Sequence, residues 1–263
     1  MDLHAMYKVI EIAPKTWRIE EWIGMAGVYS YLLEGFDRAA LIDCGFGLIP
    51  LREIAAGLTR KPVALLLTHG HYDHVGAADS FAGAAYLDPA DAETYRRNAE
   101  LMGPGGAGAE LPLPKTPAEA LLPLADGQRI DLGGRTLRVV SAPGHTRGSV
   151  CFLEEGTGRM YTGDAACRGD VLLMFPTSTP LSDYAETLRR LIALRSAGEV
   201  TVTWPSHHAV PVGPDIFDEF LEAAEGILSG GLRGEVQRQF GTPSRRLAYK
   251  TIGVVYPDEE ETT

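Results

Sequence analysis

The chain has 263 residues, with 24 Lys and Arg against 35 Asp and Glu, for a formal charge of −11. Its 45% apolar and 22% charged residues are the composition of a folded globule and exclude a disordered chain. The acidity, with no basic cluster beyond pairs such as Arg245–Arg246, argues against nucleic acid, and no apolar run approaches the ~18 residues of a membrane-spanning helix.

In chain order, the first 15 residues carry Asp2 and Glu11 with no continuous apolar stretch, so no secretory signal is read and a cytoplasmic location is expected. Val28–Leu33 and Ala39–Asp43 read as adjacent strands joined by a turn at Gly35–Arg38. Ile49–Leu58 is a short helical run, and Val63–Leu67 is a continuous apolar stretch of the kind that forms a buried strand. Gly76–Phe81 is expected as a short helix, and Asp88–Glu100 as a helix opened by an Asp88 cap and Pro89 at its first position. Leu101–Pro117 is rich in Gly and Pro and reads as a long loop, expected to act as a lid. Strands follow at Thr136–Ser141, Val150–Leu153, Arg159–Thr162 and Val200–Trp204. Ser182–Ser196 is a helix capped by Ser182, a last helix covers Asp215–Leu228, and Pro257–Thr263 is an acidic tail. Helices interleaved with mixed strands imply an α/β layered fold.

Histidine is scarce, seven in the whole chain, yet three fall in Thr68-His69-Gly70-His71-Tyr72-Asp73-His74. The apolar strand Val63–Leu67 delivers this segment at its exit, where open α/β sheets place ligands. On an extended segment His69 and His71 point to the same side, while Asp73 and His74 fall at the turn into the next helix. Imidazoles with a carboxylate suit Zn, Fe or Mn. Downstream, His145 in Pro143-Gly144-His145-Thr146, Asp164 in Thr162-Gly163-Asp164, and His207 and His208 in Pro205-Ser206-His207-His208 each follow a strand. The cysteines Cys44, Cys151 and Cys167 are odd in number and widely spaced, and read as buried thiols in a reducing compartment.

The ordered set HxHxDH, PGHT, TGD and PSH resembles the metallo-β-lactamase fold superfamily over roughly Val28 to Val212. Within it, the motifs are closest to glyoxalase II and the lactonases. The resemblance implies a four-layer α-β-β-α sandwich with metals in a groove at one edge of the two sheets; no linker clearly divides the chain, which is read as one domain over residues 1–263, and the segment from about residue 215 lies outside the motif set as a C-terminal helical extension. It implies His69, His71 and His145 at a first metal, Asp73, His74 and His207 at a second, and Asp164 bridging the two. The family places its last His directly after a Pro-Ser pair, which selects His207 over His208. Asp43, in Leu41-Ile42-Asp43-Cys44-Gly45, is implied as a support for the metal loop.

The function so implied is a dinuclear hydrolase holding two divalent ions, zinc first and iron or manganese as alternatives. A metal-bridged hydroxide, oriented by Asp73, would cleave a small acyl compound such as a thioester, ester or lactone. Asp164 and the absence of an export signal weigh against a β-lactam hydrolase, which stays as an alternative. A mononuclear iron persulfide dioxygenase is the main rival, and such relatives tend to lose second-site ligands that this chain keeps. A diiron reductase, a non-catalytic metal binder and a nuclease are weaker readings. Leu172–Leu181 is expected to line the substrate groove, with Met174, Phe175 and Tyr184 as apolar walls and the segment from Asp215 packed beside it. The oligomeric state is left open.

Overall fold

The computed structural model describes residues 6–98 and 111–258. By residue contacts the chain divides into two compact units, Met1–Val139 and Val140–Thr263. Each has its own apolar core.

The first unit is built on a seven-stranded sheet in which the strands lie in sequence order: β1 (Met6–Ala13), β2 (Thr16–Ile23), β3 (Ala26–Glu34), β4 (Ala39–Ile42), β5 (Val63–Leu66), β6 (Ala85–Leu87) and β7 (Leu122–Pro123). The first four run antiparallel, and β4 to β7 run parallel. The switch follows from composition. β4 reads AALI and β5 reads VALL, runs without polar residues that suit a parallel pair covered by a crossover helix. That crossover contains α1 (Leu51–Leu58), which buries Leu51 and Ala55 against Leu41, Leu65 and Phe81 in the unit's core. β3 and β4 are joined through the expected turn, with Gly35 N–H donating to Arg38 O at 2.9 Å. A hairpin of β8 (Arg129–Asp131) and β9 (Thr136–Ser141) follows, and β9 carries the chain into the second unit.

In the second unit β10 (Val150–Glu154) pairs antiparallel with β11 (Arg159–Gly163), which pairs parallel with β13 (Val202–Pro205). A separate sheet, in the order β12 (Asp170–Leu172), β16 (Ile252–Pro257), β15 (Thr242–Tyr249), β14 (Glu235–Gln239), is formed largely by the chain's last strands. The amphipathic helices α4 (Leu181–Ser196) and α5 (Ile216–Leu228) bury Tyr184, Leu188 and Leu191, and Phe217 and Phe220, in one core; the Tyr184 and Phe220 rings meet at 6.1 Å. The fold is therefore mixed α/β, as the sequence implies.

Several local expectations need correction. Gly76–Phe81 forms only a 3₁₀ turn over Ala78–Phe81. Asp88 does cap, accepting Ala90 N–H at 2.9 Å, but behind it lie a 3₁₀ turn, Pro89–Asp91, and a short α3 (Ala92–Arg96). Ser182 is not the cap. α4 starts at Leu181, and the Ser182 hydroxyl turns instead to the Asp183 carboxylate. The C-terminal segment is not purely helical: β14, β15 and β16 follow α5. β1 and β2 were not anticipated either. Residues 101–110 of the expected lid lie outside the described residues; the adjoining residues are held by the Asp79 carboxylate, which accepts Lys115 and Thr116 N–H. Of the acidic tail only Pro257 and Asp258 are described, and Asp258 is buried. Among the described residues, no helix is long and apolar enough to cross a membrane.

Candidate metal centre

In the first unit the chain leaves β5 and runs directly into the histidine segment. His71 sits at the N-cap of a one-turn helix, α2 (Tyr72–Val75), so Asp73 and His74 fall on its first turn, as expected. The bend demands glycine between the first two imidazoles: a Cβ on Gly70 would stand 2.6 Å from Tyr95 N. Gly70 is held from both sides, its N–H donating to the Asp91 carboxylate and its carbonyl accepting from Asn98 Nδ2 at 2.8 Å.

Behind the imidazoles stands Asp43, with φ of 58° just past the end of β4. Its Oδ1 accepts Thr68 N–H at 2.7 Å, and its Oδ2 accepts the Thr68 hydroxyl at 2.9 Å. With that proton committed, the Thr68 oxygen can accept from His69 Nδ1, 3.1 Å away. Asp43 Oδ2 also lies 2.8 Å from His74 Nδ1. Both histidines are thereby fixed in the tautomer that presents Nε2 as a lone pair.

The second unit prepares its donors in the same way. His145 Nδ1 donates to Leu172 O at 2.7 Å, leaving Nε2 to face Asp164 Oδ2 at 3.6 Å. The other Asp164 oxygen, Oδ1, faces His207 Nε2 at 3.6 Å. Asp164 and His207 lie just beyond neighbouring strand ends, where Gly163 of β11 is in register with Pro205 of β13. A single face of α4 clamps the two loops: the Tyr184 hydroxyl donates to Ala165 O at 2.8 Å, and the Thr187 hydroxyl donates to Pro143 O at 2.6 Å. His207 is the member of its pair that faces Asp164. A Cβ on Gly169 would stand 2.5 Å from the His208 ring, which packs there.

These separations test whether metal ions fit. Two ligands at 2.0–2.1 Å from a tetrahedral ion stand roughly 3.3–3.4 Å apart. His69 Nε2 and His71 Nδ1 are 3.1 Å apart, His74 Nε2 and Asp73 Oδ2 3.8 Å, and the two Asp164 contacts 3.6 Å each. Three of these exceed a good hydrogen bond but suit lone pairs aimed at shared ions, so the donor set fits. The imidazoles of His69, His71, His74 and His145 are buried, whereas Asp73, Asp164 and His207 keep 18–20% side-chain exposure, which puts these three on the solvent side.

The thiols behave as expected. Cys44, Cys151 and Cys167 are all buried, and burial pushes the Cys151 thiol up to about 12, so none offers a thiolate nucleophile at neutral pH. The expected groove walls are only partly right. Phe175 packs edge-on against His145 with ring centroids 6.0 Å apart, but Tyr184 is a fully buried core residue. The supports Thr68, Asp91, Asn98, Thr187 and the Leu172 carbonyl were not identified from sequence.

Residues 23–207 match the family model described as the metallo-beta-lactamase superfamily, and the chain belongs to that superfamily. It is 30% identical over 203 residues to the human acyl-coenzyme A thioesterase MBLAC2, covering 67% of this chain and 71% of the relative. Among solved structures it is similar to a metallo-beta-lactamase family protein from Thermus thermophilus, with a TM-score of 0.65 and 25% identity over 84% of this chain and 82% of the other. It is also similar to TTHA1623, solved in a di-iron-bound form, with a TM-score of 0.57 and 29% identity over 76% and 94% of the two chains.

Proposed function

We propose that this protein is a metal-dependent hydrolase of small acyl thioesters. His69, His71 and His145 would hold one divalent ion, and Asp73, His74 and His207 a second, with Asp164 spanning the two. The observation that carries the reading is the orientation of donors: the partners of His69, His74 and His145 each commit Nδ1, and Asp164 turns one oxygen to each of two imidazoles. A hydrogen-bonded structural cluster has no need to arrange its lone pairs in this way.

When bound, such ions lower the pKa of a coordinated water and polarise the attacked carbonyl. The protein's own groups do the rest. Asp73, partly exposed rather than buried, orients the attacking water and accepts its proton. Asp164 keeps the charge of the site balanced, and Asp43 holds His74 and Thr68 in place so that no reorganisation accompanies the reaction. A thiol leaving group requires little protonation, so one carboxylate suffices as the shuttle.

The thioester assignment draws on the name of MBLAC2. Zinc suits the donor set, and iron is the alternative that the di-iron form of TTHA1623 supports. The test pairs metal analysis with a substrate panel of acyl-coenzyme A, lactone and β-lactam compounds on zinc-loaded and iron-loaded protein. Two metal equivalents with thioester cleavage are expected. One iron with oxygen consumption and no hydrolysis would overturn the proposal in favour of the oxygenase.

A further inference from the structure

The hairpin of β14 and β15 turns on two residues. Gln239 pairs with Thr242, which leaves Phe240 and Gly241 as the loop, and both have positive φ, 49° and 78°. Such a turn is of type I′, which Asn-Gly forms most readily because both residues tolerate the left-handed region. Gly241 is the residue the turn favours; a bulky Phe240 is an outlier there. Nor is its ring buried: Phe240 is 60% exposed, on a strand pair beyond the family match that ends at 207. An exposed ring on a strained backbone contributes little to the fold, and strain of this kind collects at working sites.

The ring stands near the metal-binding loop. Phe240 meets Phe175 with ring centroids 6.0 Å apart and planes at 35°, and Phe175 meets His145 edge-on, at 6.0 Å and 82°. The Phe175 segment is tied to that loop: Ser178 donates its hydroxyl to His145 O at 2.8 Å, and Thr179 N–H donates to Gly144 O at 3.0 Å. The row therefore runs from buried His145 through half-buried Phe175 to exposed Phe240. One end presents the imidazole of a proposed ligand, and the other is apolar surface open to solvent. A substrate whose carbonyl sits at the His145 end can lay a hydrocarbon chain along the two phenyl rings, and each methylene so covered favours binding.

We infer that Phe240, acting with Phe175, is a specificity-determining residue for the acyl group of the substrate, and that the pair selects an extended hydrocarbon chain over a short one. This rests on the thioesterase reading and deepens it. The left-handed backbone at Phe240 is what holds the ring on this row.

The test compares kcat/KM for acetyl, hexanoyl and decanoyl thioesters of one small thiol, N-acetylcysteamine, in the wild type, Phe240→Ala and Phe240→Asn. The wild type is expected to prefer decanoyl, and the preference over acetyl to fall about tenfold in both variants. Asn suits the turn, so Phe240→Asn is expected to keep or raise the wild-type Tm. An unchanged preference overturns the inference. A lower Tm in Phe240→Asn also overturns it, because the ring would then serve packing. A wild-type dimer that Phe240→Ala dissolves with acyl preference intact overturns it in favour of self-association. Inertness of the wild type towards all three esters would instead sink the thioesterase reading. Decanoate and hexanoate titrated calorimetrically against metal-loaded protein then decide the wall without turnover. Tighter binding of decanoate in the wild type, lost in Phe240→Ala, supports it, and the same chain-length dependence in both overturns it.

Discussion

Asp43 and His74 form a fully buried pair, Oδ2 to Nδ1 at 2.8 Å, and the same carboxylate accepts both the N–H and the hydroxyl of Thr68. Three donors converge on one carboxylate, and an amide cannot serve all three. Asp43→Asn keeps the size and tolerates the left-handed backbone, but it turns one acceptor into a donor. Metal affinity is expected to fall by about 10–100-fold, the usual cost of losing a group behind a ligand. Metal retained after dialysis against a graded chelator measures this, and chelator treatment of the wild type should lower its Tm towards that of the variant.

Gly70→Ala tests the bend between the first two imidazoles. The new methyl would stand 2.6 Å from Tyr95 N, a backbone atom that cannot step aside alone. The expected destabilisation is about 1–3 kcal/mol by urea unfolding, with reduced metal content. Wild-type stability in this variant would show that the segment does not take this path.

Asp164→Asn removes the charge shared between His145 and His207. Metal occupancy and hydrolysis should fall together, and by more than the roughly 10–100-fold of a supporting residue. Full activity would refute the spanning role.

Tyr184→Phe deletes one hydroxyl, 2.8 Å from Ala165 O, in a fully buried site. A cost of about 1–2 kcal/mol is expected from the carbonyl left without its donor, and metal content should drop because Ala165 follows Asp164. Thermal unfolding of the apoprotein separates the two effects.

The donors were legible because each lies within a few residues of a strand exit. Apolar runs such as Val63–Leu66 announce themselves, and the polar residues behind them stand out in a chain with seven histidines. What stayed hidden depends on partners far along the chain. Nothing local marks Asn98 as the donor to Gly70 O, or Thr187 as the donor to Pro143 O. β1 was missed because its residues are exposed or half-buried and its apolar alternation is interrupted. β14 reads EVQRQ, whose polarity suits a strand at the edge of its sheet and says little about pairing. Ser182 was misjudged as a cap by a residue or two, since Pro180 sets the helix start.

The carbonyl that steers His145 belongs to Leu172, at the end of β12, and β12 is hydrogen-bonded to β16, with Leu172 opposite Val255 and Leu173 N–H donating to Val255 O. A chain cut at residue 207, where the family match ends, would still contain every proposed donor. It would lack the strand that braces the residue orienting one of them. The end of the family match is therefore not the end of what the proposed site leans on: the strand bracing Leu172 comes from beyond it.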